Sequence, residues 1–190
     1  IILEADNLDS ILISCEKSRF SISGRRGDEF VEMPKMEKSD YVCLSQYTLK
    51  EMIRQTIFSI SINDNNRLMT GELFEIKEDQ LMVASLDGHR ISVRNIPLSD
   101  SYEPEKVIVP GKTLSEISRI IPGNMEDEVI IYFGTNHILF EFGQTIVVSR
   151  LIEGDYFRID QMISGGYETK ISVNKKDFMD SIEQSITFVR

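Results

Sequence analysis

Apolar positions along this chain fall into two periods. Short runs alternate at every second residue, and longer stretches repeat at every third or fourth. The switch between the two recurs. An apolar strand end, a few polar residues and an amphipathic helix read VCLSQYTLKEMI from Val42, IVPGKTLSEIS from Ile108 and ISVNKKDFMDSI from Ile171. Leu44, Val109 and Val173 hold the same place in the pattern, 65 and then 64 residues apart. Leu49, Leu114 and Phe178 follow five residues later, and Glu51, Glu116 and Asp180 two beyond those. A fixed period of this size marks a repeated supersecondary unit.

The pattern predicts particular elements. Residues 1–37 hold three strand-like runs, Ile1–Leu3, Ile11–Cys15 and Arg19–Ser23, with turn residues Asp6, Asn7 and Gly24 between them. Residues 25–40 are charged and contain Pro34, which fits a linker. Tyr41–Leu44 reads as a strand. Ser45 or Thr48 can cap a helix to about Ser61, with Leu49, Met52, Ile53, Ile57 and Ile60 on one face. Lys50 and Arg54 are neighbours on its other side. Strand-like runs follow at Leu68–Ile76, Gln80–Ser85 and His89–Asn95, and Pro97 is expected to end this meander.

Lys106–Val109 begins the second copy. Its helix, about Lys112–Ile121, places Leu114, Ile117 and Ile121 together and stops at Pro122-Gly123. Strands at Val129–Phe133, His137–Phe142 and Ile146–Leu151 complete it. The third copy supplies a strand and a helix from Ile171. The expectation is an α+β fold of pseudo-twofold strand-helix-meander repeats, with the helices on one side of antiparallel sheets.

Composition narrows the class. The chain has 190 residues, 41% of them apolar and 27% charged, enough for one or two domains with a sizeable core. No apolar run approaches the ~20 residues that span a bilayer. The opening IILEAD lacks an initiating Met and the basic start of a signal peptide, and it resembles the middle of a strand. The chain is therefore expected to be a cut piece of a larger protein. Cys15 and Cys43 lie in apolar strand patterns with no CxxC partner, so buried, reduced thiols are expected.

The net charge of −10 argues at first against nucleic acid. Yet the acids cluster in turns and strand ends (Glu72 to Asp79, Asp100 to Glu105, Glu126 to Glu128), whereas the first two helices lean basic. Such a distribution fits a protein that meets DNA on one face. Charge alone favours an acidic protein with ordinary helix surfaces. No HExxH, GxSxG, P-loop or paired Cys/His spacing is present. Asp87 with His89, and His137 with Glu141, are the nearest approach to acid–base pairs. No catalytic residue, metal ligand or cofactor is expected.

Three stretches, SLDGHRISV from Ser85, KVIVPGKTLSEISRII from Lys106 and VVSRLIEGDYF from Val147, resemble the β sliding clamp family, the beta subunit of bacterial DNA polymerase III. Weaker matches extend through residues 1–37 and 168–190. The resemblance implies the DNA-clamp fold and a non-catalytic processivity factor. In that family each subunit has three similar domains, and two subunits close head to tail around duplex DNA. By this alignment residues 1–37 are the end of the first domain, 38–165 the whole middle domain and 166–190 the start of the third. With both ring-closing domains incomplete, this piece is expected to be a monomer, and the full-length chain a homodimer. Implied partners are duplex DNA, the polymerase III alpha subunit, the clamp loader and other clamp-motif proteins. A cytoplasmic location at replication forks follows, with no membrane partner.

The resemblance also implies sites. Leu86, Gly88, His89, Arg90 and Ile91 match part of a groove that accepts short extended peptides. Met69, and then Phe157, Gln161 and Met162, would complete it. A mostly apolar cleft with a few polar anchors suits such ligands, and Met adapts to several of them. The family usually has Pro at the position of Phe157, often a basic residue at Gln161 and frequently Thr at Leu86. Read without the resemblance, DGHR is a tight turn into a strand, permitted by Gly88. Lys50, Arg54, Lys112 and Arg119, with Arg67 on a turn, are the candidates to meet DNA phosphates without sequence readout. Taken singly, each is an ordinary solvated charge. The alternative function is a peptide-binding scaffold of clamp fold that makes no DNA contact.

Overall fold

The computed structural model describes residues 1–5, 10–25, 27–30, 32–34, 36, 38, 41–63, 65–163 and 166–188. The chain divides into two compact units, Ile1–Gly154 and Asp155–Arg190.

The first unit opens with three antiparallel strands, β1 (Ile2–Ala5), β2 (Ser10–Cys15) and β3 (Ser18–Ser23), in the order β1-β2-β3. All three runs foreseen from alternation are present. Cys15 ends β2 and is exposed, which corrects the expectation of a buried thiol. The next residue, Glu16, has φ 51°, so the chain turns there and leaves Cys15 beside the turn of the hairpin, paired with Ser18. Cys43 is partly buried, and both cysteines are free.

β4 (Tyr41–Ser45) leads into α1 (Gln46–Thr56). Ser45 is the N-cap, and its hydroxyl accepts the Thr48 N–H at 3.1 Å. Leu49, Met52 and Ile53 are fully buried, each contributing roughly 1.5–3 kcal/mol. The helix tightens into a 3-10 turn at Ile57–Ser59, a little short of Ser61. α2 (Gly111–Ile120) buries Leu114 and Ile117 against α1 and the strands. β4, β7 (Glu128–Phe133), β8 (His137–Phe142) and β9 (Thr145–Arg150) form one antiparallel sheet in that order. β7 to β9 begin and end within one residue of the expected runs.

The first meander differs from expectation. Extended structure runs unbroken through β5 (Gly71–Leu86) and again through β6 (Ile91–Pro110). Their antiparallel ladder joins Gly71–Ile76 to Glu105–Pro110 and Gln80–Leu86 to Ile91–Pro97. Between these two stretches the register shifts on both sides of Glu78, whose φ is +54°. β5 starts at Gly71 because Arg67–Thr70 form a 3-10 turn capped by Asn66. Pro97 faces Gln80 and does not end the extended structure, since a strand that is unpaired on one side tolerates a residue without an N–H.

A single apolar cluster includes Leu49, Ile53, Phe74, Val83, Val109, Ile117, Ile131 and Phe140, and so joins α1 and α2 to the β5–β6 ladder and the β4-β7-β8-β9 sheet. In the second unit, α3 (Ile159–Ile163) and α4 (Lys175–Ile186) are helical, α4 being capped by Asn174. The strand expected from Ile171 is not formed. No described strand pairs with residues 171–174, and an isolated extended segment has nothing to bond with.

Candidate peptide groove and helix face

Leu86 and Ile91 face each other as the last pair of the β5–β6 ladder, and Asp87–Arg90 form the turn between them. The turn is closed by the Asp87 N–H on the Arg90 carbonyl at 3.3 Å. Asp87 organises it further. Its Oδ1 accepts the His89 and Arg90 N–H groups at 3.1 and 3.2 Å, and its Oδ2 accepts the Arg90 Nε–H at 3.0 Å. The His89 backbone bond, followed by the Arg90 side chain, holds the Asp87 carboxyl below its ordinary pKa. Gly88 has φ +88°, a conformation that a side chain would strain. Leu86 is buried, while His89, Arg90 and Ile91 are exposed. The turn therefore presents two polar side chains and one apolar one above a filled floor.

Sequence reasoning missed Phe58. Its exposed ring lies 5.9 Å from the Arg90 guanidinium, in cation–π range. The segment after α1 also reaches Met69: the Ser61 N–H donates to the Met69 carbonyl at 2.7 Å, and Ser59 shares a 2.7 Å hydroxyl bond with Ser92 of β6. Met69 and Arg90 are thus tied to one short connector. A lone aromatic just beyond the end of a helix was the only signal of this in the sequence. Phe157, Gln161 and Met162 belong to the second unit. Phe157 packs edge-on to Tyr156 with centroids 5.7 Å apart, while Gln161 and Met162 are exposed on α3.

The helix cations have local partners. Arg54 makes a two-pronged ion pair with Glu51, both bonds at 2.7 Å, and Arg119 pairs with Glu116 at 3.1 Å. Hydrogen bonding to Arg54 lowers the Glu51 pKa. Lys50 is half-buried and donates to the Ile121 carbonyl at 3.0 Å, closing the end of α2. Lys112 and Arg67 are exposed. Glu141 is bonded to Lys38, which lowers its pKa, and His137 faces Arg150 across the sheet. Among the described residues no group of three or more His, Cys, Asp or Glu could hold a metal ion, and no helix is long and apolar enough to cross a membrane.

The family model of the DNA polymerase III beta subunit, central domain, matches residues 43–157. The chain belongs to this family. The match contains Met69, the Asp87–Arg90 turn, Phe157 and both basic helices; Gln161 and Met162 lie beyond it. The beta sliding clamp of Staphylococcus aureus is 34% identical over 179 residues, covering 94% of this chain and 47% of that protein. The chain thus spans about half the length of the curated clamps it matches. A solved structure of a putative DNA polymerase III beta subunit from Eubacterium rectale superimposes with a TM-score of 0.93. It is 56% identical, covering 99% of this chain and 52% of the other. The Bacillus subtilis DNA polymerase sliding clamp gives a TM-score of 0.90 at 28% identity, with 99% and 50% covered. The fold is the DNA-clamp fold that the family resemblance implies.

Proposed function

We propose that this chain is the middle part of a DNA polymerase processivity factor, a clamp that has no catalytic chemistry of its own. The full-length protein would encircle duplex DNA as a homodimer, in the bacterial cytoplasm at replication forks. Within it, residues 1–37 would be the end of a first domain, 38–165 a complete middle domain and 166–190 the start of a third. The observation that carries this reading is the match of residues 43–157 to the central domain, supported by a fold that repeats strand, helix and antiparallel strands.

The peptide groove is part of the same reading. Met69, Leu86, Gly88, His89, Arg90 and Ile91 would contact an extended segment of the polymerase alpha subunit, the clamp loader or other clamp-motif proteins. The family resemblance adds Phe157, Gln161 and Met162. Leu and Phe side chains of such a peptide would give up apolar surface at ~25 cal/mol per Å². Arg90, steadied by Asp87 and Phe58, would fix its register.

A fluorescent peptide of the Gln-Leu-x-Leu-Phe type, titrated into the chain, tests the groove. Saturable binding is expected, and it should be lost in a variant carrying Arg90→Ala and Met162→Ala whose circular dichroism is unchanged. Equal binding by that variant would refute the assignment. Lys50, Arg54, Arg67, Lys112 and Arg119 are proposed to face DNA phosphates. If full-length protein bearing Lys50→Ala and Arg54→Ala loads onto primed DNA as wild type does, the scaffold without DNA contact becomes the better reading.

A further inference from the structure

A cavity of about 610 Å³ opens between β4 and the stretch of β6 around Tyr102, away from the Asp87–Arg90 turn. Its volume lies within the ~300–1,000 Å³ common for ligand sites. Buried Val42, Ile76 and Phe133 supply an apolar floor. Tyr41, half exposed, and Tyr102 stand as aromatic walls. Among the described strands β4 pairs only with β7 and is the outermost of its sheet, so its other edge faces the cavity. There Tyr102 stands beside the Cys43 backbone at the opening.

The rim carries Asp100, Glu103 and Glu105, and among the described residues no Lys or Arg lines the cavity. Among the described residues none of these three carboxylates forms an ion pair, whereas Glu51, Glu75, Asp87, Glu116, Glu141 and Glu153 all do. Carboxylates without an ion pair among the described residues, set around an apolar floor with aromatic walls, suit a cation on an apolar stem. Aromatic faces and carboxylates both attract Lys and Arg, while the floor takes a Leu or Phe.

We infer that this cavity is a second docking site on the domain, taking an extended, basic segment of a partner protein whose Lys or Arg residues flank an apolar anchor. Its occupant would be opposite in charge to nucleic acid, so it recruits protein to the clamp by chemistry unlike that of the Gln-Leu-x-Leu-Phe groove. Charge complementarity at the rim would speed encounter and set selectivity, and the apolar floor would hold the anchor.

The test is a titration of the chain with fluorescein-labelled Lys-Arg-Leu-Arg-Phe-Lys-Arg, read by anisotropy and by amide chemical shifts. Saturable binding is expected, with the largest shifts at Cys43 and Tyr102. Changing the rim by Asp100→Asn, Glu103→Gln and Glu105→Gln should weaken binding roughly tenfold or more. A control with the same change in net charge, Glu126→Gln, Glu153→Gln and Glu168→Gln, should weaken it less than about twofold. Bound peptide should also slow alkylation of Cys43 while leaving exposed Cys15 unchanged. Absence of saturation, equal losses in both triple variants, or shifts centred on Arg90 would each overturn the proposal.

Discussion

Arg90 donates its Nε–H to Asp87 Oδ2 at 3.0 Å, and the same carboxylate accepts two backbone N–H groups through Oδ1. One acid thus shapes the turn and aims the side chain. Asp87→Asn keeps an oxygen for the backbone bonds but loses the charge-assisted bond to Arg90. Binding of the Gln-Leu-x-Leu-Phe peptide is expected to fall severalfold, with far-ultraviolet circular dichroism unchanged. The folded pKa of Asp87 is depressed, so its stabilising contribution holds above the ordinary carboxylate range and fades as pH falls through the lowered value. Peptide affinity should weaken on acidification in wild type and much less in Asp87→Asn.

Two glycines separate conformational strain from crowding. At Gly88 nothing lies within 4 Å of a built Cβ, but φ is +88°, so Gly88→Ala should cost about 1 kcal/mol in denaturant melts. At Gly71 a Cβ would meet the Val109 carbonyl oxygen at 2.7 Å and Ile152 at 2.8 Å. Gly71→Ala is expected to cost more, roughly 2–3 kcal/mol. A smaller loss at Gly71 than at Gly88 would contradict the packing described for β5.

Glu72 is fully buried on β5, and neither of its carboxylate oxygens has a hydrogen-bond partner among the described residues. The Thr56 hydroxyl is directed at the Met52 carbonyl (2.8 Å), so it offsets little of the desolvation. Burial pushes the Glu72 pKa up to about 8. With the folded pKa raised above the unfolded one, the contribution is complete below about pH 4.5 and is lost as pH rises through about 8. At pH 7 the loss is on the order of 3 kcal/mol. Glu72→Met should raise stability at pH 8 and flatten the pH dependence between 5 and 9 (roughly the window set by the two pKa values). An unchanged pH profile would count against the buried placement.

What the sequence revealed followed periodicity. α1, α2 and β7 to β9 were legible because buried positions such as Leu49, Met52 and Ile53, or Val129 and Ile131, keep helical or strand spacing. The Asp87–Arg90 turn was legible through Gly88 and the family motif. Leu68 and Met69 misled because they are apolar, yet they sit in a turn fixed by Asn66. Pro97 misled because its tolerance depends on which strand edge is unpaired, and a local reading cannot see pairing. Residues 171–174 carry a strand pattern but have no partner strand among the described residues. Glu72 looks like any strand acid, and its burial comes from the elements packed over β5. The rim of Asp100, Glu103 and Glu105 was noted as charge, but the apolar floor beneath it gathers Val42, Ile76 and Phe133 from distant parts of the chain.

Glu51 offers a sharper test of the DNA-facing proposal than deletion of cations. Arg54 is exposed but engaged by Glu51 through two 2.7 Å bonds, so its charge is partly neutralised on the helix surface. Lys50 is held by the Ile121 carbonyl, and removing it would disturb the end of α2 as well as any DNA contact. Glu51→Gln removes an acid and releases Arg54 while leaving Lys50 in place. The exposed pair contributes little to stability, so denaturant melts should be nearly unchanged. If α1 faces phosphate in the full-length ring, the freed guanidinium adds close to one counterion-releasing contact per subunit. Retention on circular DNA should then lengthen, and its salt dependence should steepen by about one in the log–log slope per subunit. Unchanged retention and slope would place α1 away from the DNA, whatever the fate of the lysine.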